Sequence, residues 1–98
     1  MRSELTNYDE VRARRIYQYA IKLYFGEEDS KDEKKAVLLL KKAAEMEYAP
    51  AQFALGVIYS SANEAIEKNQ ELASEWFGRA KKNGHCMAST YREALLEN

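Results

Sequence analysis

Between Lys35 and Tyr59 the apolar residues fall into two helical stripes. Ala36, Leu39, Leu40, Ala43 and Ala44 are spaced at steps of three, four, seven and eight, which places them on one face of a 3.6-residue period. A short break at residues 47–50 follows, and Ala51, Leu55, Ile58 and Tyr59 form the second stripe. The stretch predicts a helical hairpin. The pattern recurs: at a shift of 37 residues Leu39 lies on Trp76, Leu40 on Phe77, Lys42 on Arg79 and Ala43 on Ala80. Upstream, Ile16, Ala20, Leu23 and Tyr24 precede Ala51, Leu55, Ile58 and Tyr59 by 35 residues. A period in the thirties, carried by pairs of helices, predicts an all-α solenoid.

The punctuation agrees with that period. Asn7 with Glu10, or equally Thr6 with Asp9, has the spacing of a capping box and starts a first helix near Tyr8 that runs to about Phe25. Residues 26–31 read as a polar turn. Asp32 and Asn69 each stand four residues before an aligned alanine (Ala36, Ala73) and are strong N-cap types. Gly84 suits the left-handed position that ends a helix. The aligned residue upstream is Glu47, for which that conformation carries a steric cost, so the sequence leaves a different turn open there. The 60–68 loop has no glycine, and Ile66 is free to fold back on the core. A last helix over about 86–96, with Ala88, Tyr91 and Leu95 apolar but Arg92 and Glu93 polar, suits a terminal cap. One domain over 1–98 results: a first repeat of about 8–46, a second of about 50–83, and the capping helix. In all there are five helices in about two and a half right-handed repeats.

These residues resemble the Sel1-like repeats, relatives of the tetratricopeptide repeat. Ala51, Leu55, Gly56 and Tyr59 match the A-x-x-x-L-G-x-x-Y half of that pattern. Asp32, Lys35, Ala36, Lys42, Ala43, Ala44 and Ala51 match the second half, and Asn69, Ala73, Trp76, Arg79, Ala80, Gly84 and Ala88 match it again. In the first helix Ala20 stands at the usual leucine and Ile21 at the small residue, an exchange of volume between neighbours. The resemblance implies an adaptor that holds protein partners.

Composition narrows the function classes. Apolar residues at 46% and charged residues at 32% describe an ordinary globular chain, and 15 basic against 16 acidic residues leave a net charge of −1. No overall field draws in nucleic acid or an anionic membrane. No apolar run approaches the ~20 residues of a membrane span, and no signal-peptide core opens the chain. Cys86 is the only cysteine, which fits a reducing compartment, so the cytoplasm is expected.

Chemistry is sparse. His85 and Cys86 adjoin, but zinc needs about four clustered ligands, so they read as turn residues. Glu27, Glu28, Asp29 and Asp32 lack the spacing and central glycine of a calcium loop. Arg12, Arg14 and Arg15 converge only in part on a helix. No phosphate loop, nucleophile elbow or carboxylate pair occurs, so neither an enzyme nor a cofactor is expected.

What remains is a surface. In stacked hairpins the first helices line the inner side. Subtracting the packed stripe leaves Arg15, Gln18, Lys22 and Phe25 on the first helix, Phe53 and Val57 with Pro50 on the third, and Thr90 and Ala94 on the last. An apolar strip beside Arg15 and Lys22 suits a peptide bearing an acidic group; alternatively Phe53 and Val57 simply pack within the short stack. Leu38, with Val37, offers an apolar spot on the outer face where a second copy or partner docks, or is a singly exposed leucine. Tyr17, Tyr19 and Tyr48 are candidates for a contact surface. Leu39, Leu55, Gly56, Tyr59, Trp76 and Phe77 are read as core. The sequence therefore predicts a non-catalytic protein- or peptide-binding module. An immunity- or inhibitor-type blocker of one toxin or enzyme, and a self-assembling subunit or homodimer, are the alternatives.

Overall fold

The computed structural model describes residues 7–26, 31–61 and 66–85. Among the described residues the chain forms four helices and no strand: α1 (Asn7–Phe25), α2 (Glu33–Glu45), α3 (Ala49–Ser60) and α4 (Gln70–Lys82). The expected fifth helix at 86–96, together with Cys86, Thr90 and Ala94, lies outside the described residues, as do Thr6 and the acidic residues 27–29. Consecutive helices pack on one another, α1 on α2, α2 on α3 and α3 on α4.

Both cap residues act as their types require. The Asp32 Oδ1 accepts from the Lys35 N–H and the Asn69 Oδ1 from the Leu72 N–H, each at 3.0 Å. Their backbone N–H groups reach back to the preceding helix, Asp32 to the Leu23 carbonyl at 2.9 Å and Asn69 to the Tyr59 carbonyl at 2.8 Å. Each cap thus satisfies an orphan helix donor and closes its hairpin in one step.

The two helix ends are built alike. After α4, His85 donates to the Ala80 carbonyl and Gly84 to that of Lys81, with Gly84 at φ 91°. After α2, Tyr48 donates to the Ala43 carbonyl and Glu47 to that of Ala44, with Glu47 at φ 64°. Both are Schellman turns. The different turn left open at Glu47 is not the one found: a glutamate takes the left-handed position that glycine holds 37 residues later.

Alanines close the helix seams. Ala13, Ala20, Ala36, Ala43, Ala44, Ala51, Ala73 and Ala80 are fully buried and let the helices approach, while Leu40, Leu55 and Phe77 fill the space between them. Tyr59 and Trp76 are buried, and Leu39 is half-buried against the same core. Ile66 folds back from the loop before α4 into this cluster. At Gly56 a Cβ would stand 2.5 Å from the Phe77 ring, so α3 and α4 meet at a distance that only glycine permits.

Candidate partner-binding groove

α3 carries the information for the site. Its twelve residues, APAQFALGVIYS, include no charged side chain, and a helix apolar all round is normally covered all round. Ala51, Gln52, Leu55, Gly56, Ile58 and Tyr59 are buried, whereas Phe53, Ala54, Val57 and Ser60 are only partly covered. Opposite this second face α1 presents Tyr17, Ile21, Tyr24 and Phe25, at steps of four, three and one. Between them lies a groove of about 400 Å³, completed by Ile58 and Ser61.

The structure brings Phe25, Phe53 and Val57 of the expected strip together in this groove. Arg15, Gln18 and Lys22 do not line it. All three are exposed on α1; Gln18 and Lys22 stand one turn from the lining residues Ile21 and Phe25, whereas Arg15 has no lining residue three or four positions away. Tyr17, Ile21, Tyr24, Ala54, Ile58 and Ser61 are the lining residues that the sequence reading left out of the strip. Tyr17 meets Tyr48 edge-on at 5.5 Å. Burial, and Tyr48 beside it, push the Tyr17 phenol above its usual range. Phe25, at 74% exposed, stands at the mouth with its ring edge-on to Tyr24.

Phe53 has a double role. It lies flat on the His85 ring at 4.1 Å and tilts against Phe77 at 5.5 Å, so the groove wall is continuous with the core. The turn residue His85 is thereby a packing partner of the groove. Pro50 sits in the first turn of α3 and is half-buried. Tyr19 is half exposed beneath the Lys35 ammonium at 5.9 Å. Leu38 is exposed on α2, whereas Val37 beside it is buried. The outer spot is therefore Leu38 without Val37.

A polar cluster braces the opposite edge of α3. Gln52 is fully buried; its Nε2 donates to the Ala44 carbonyl at 3.0 Å and to Glu47 at 3.4 Å, and its Oε1 accepts from Asn83 at 3.0 Å. Asn83 and Arg79 each donate to the Glu47 carboxylate at 2.9 Å. Arg79 also lies over the Trp76 ring, 4.6 Å from its centroid. The hydrogen bond from Asn83, with further donors from Arg79 and Gln52, holds the Glu47 carboxyl below the usual glutamate range against a partial desolvation that opposes it. These bonds tie α3 to the ends of α2 and α4.

Among the described residues no group of three or more His, Cys, Asp or Glu side chains converges as a metal site, and no helix is long and apolar enough to cross a membrane. A family model of the Sel1 repeat matches the chain twice, over residues 16–48 and 49–85. Comparison with curated proteins and comparison with solved structures each return no match.

Proposed function

Because the chain belongs to the Sel1 repeat family, we propose that it is a non-catalytic adaptor that holds a protein or peptide partner in the groove between α1 and α3. Sel1 repeats are generally protein-interaction modules and typically non-catalytic. The observation that carries the groove is the uncharged α3, whose second face is left partly covered in a chain where 32% of residues are charged. An apolar wall of this kind takes the side chains of a helix or an extended segment. Such binding needs no cofactor. The described helices are read as part of a right-handed solenoid, in the cytoplasm, with no nucleic acid or membrane as partner.

Affinity capture from the native cell, followed by calorimetry with the purified partner, tests the groove. Phe53 is a poor probe because it packs on Phe77 and His85. Phe25→Glu is the cleaner variant, since that ring is mostly in solvent. It should keep the melting temperature and lose most of the affinity. Equal binding by wild type and Phe25→Glu removes the groove as the contact surface.

Self-association is a second reading, favoured by Leu38 at 66% exposed. Light scattering over a concentration series, with Leu38→Glu beside the wild type, decides it: a mass that does not change with concentration rules it out.

A further inference from the structure

We infer that the occupant of the groove is a short amphipathic peptide segment whose apolar anchors are flanked by acidic side chains, a conclusion that rests on the groove being the binding site. The walls choose the anchors. Every lining residue is uncharged, from Tyr17, Ile21 and Phe25 on one side to Ala54, Val57 and Ile58 on the other. About 400 Å³ of space admits only a few side chains, so a short segment suffices.

The flank chooses the charge. From Val11 to Phe25, α1 carries Arg12, Arg14, Arg15 and Lys22 and no acid at all, in a chain whose net charge is −1. Arg12 has an ion pair with Asp9 at 3.9 Å. Arg14 and Lys22 are exposed, and no ion pair among the described residues engages either. Each stands one helical turn before a lining residue, Arg14 three positions before Tyr17 and Lys22 three before Phe25, and α3 supplies no counter-charge. A ligand carboxylate at this rim gains a cation without displacing an internal one, and at the groove edge its main effects are on orientation and on-rate. The α1 rim of the groove is therefore cationic, and the acid of the ligand belongs there.

The probe is a displayed library of short random peptides, selected on the full-length protein and counter-selected on Val57→Glu. Enriched peptides are synthesised and titrated by fluorescence anisotropy against wild type and against Arg14→Glu/Lys22→Glu, both of whose sites are exposed, with melting curves to verify folding. The expected result is enrichment of apolar residues at helical or alternating spacing beside Asp or Glu. The charge reversal should weaken binding by about tenfold. Groove-dependent peptides without acidic bias, or with a Kd unchanged by the charge reversal, overturn the inference and leave the groove standing. Failure to enrich any peptide that Val57→Glu rejects overturns both. Wild-type dimers that Val57→Glu converts to monomers make a second copy the occupant and overturn the peptide.

Discussion

Glu47 holds the same left-handed turn position as Gly84, 37 residues earlier, and does so with a side chain tied to three partners. A non-glycine residue at φ 64° carries a backbone cost of about 1 kcal/mol. The bonds from Arg79 and Asn83, made by a half-exposed carboxylate, offset a cost of that size. Glu47→Gly removes the strain and the bonds together, so its unfolding free energy should stay within about 0.5 kcal/mol of wild type. Glu47→Ala keeps the strain and loses the bonds, and should lose about 1–2 kcal/mol in urea unfolding. Equal stability of the two variants would show that the turn is not strained.

The same carboxylate gives a pH dependence with a defined sign. Its native pKa is depressed below the ordinary value of 4.5. Its contribution to stability is therefore complete above about pH 4.5 and fades as the pH falls through the lower native value. The stability difference between wild type and Glu47→Gln should be constant from pH 6 to 8, about neutral, and shrink in acid. A difference that grows in acid would reverse the assignment.

The fold was legible because its signals are local. Asp32 and Asn69 announce their caps, Gly84 its turn, and the alanine stripes their seams, each within a few residues of sequence. The brace was not legible, because Gln52 meets Asn83 across a sequence separation of 31 residues and stands in an otherwise apolar stripe. The groove was half legible. Phe53 and Val57 stood out as apolar residues without a packing motive, but α1 carries apolar residues on two neighbouring faces. Ala13 and Ala20 are buried, while Tyr17, Ile21 and Phe25 line the groove. Periodicity finds such rows without saying which neighbour each one meets. That is why Arg15, Gln18 and Lys22, which do not line the groove, were placed in it.

Gly56 and Phe77 set the spacing of α3 and α4. Gly56→Ala should destabilise by about 1–3 kcal/mol, because the ring it strikes is itself buried and has nowhere to move. Gly56→Ala combined with Phe77→Leu should recover part of the loss, since the pair then approaches the Ile21 and Leu40 arrangement of the first repeat. A double variant whose losses simply add would refute direct contact.

Trp76 and Leu39 are aligned in sequence but unequal in burial. Trp76 is 8% exposed and roofed by Arg79, whereas Leu39 is half-buried. Trp76→Ala should cost about 3–5 kcal/mol and Leu39→Ala less than half of that. An unchanged melting temperature in Trp76→Ala would break the register on which the repeat alignment stands.

Tyr17 is a built-in reporter of the groove. Burial beside Tyr48 raises its phenol pKa above the ordinary 10.0, because the phenolate is the form that burial disfavours. The native state thus holds this proton more tightly than the unfolded chain, so stability is unaffected below pH 10 and falls as the pH rises through the native value. The ultraviolet difference between wild type and Tyr17→Phe isolates one tyrosine of the seven, and that signal should titrate above 10.0. A groove-bound peptide withdraws more water from Tyr17 and should move the titration higher still. A bound peptide that leaves the Tyr17 titration where it was would place the contact elsewhere on the molecule.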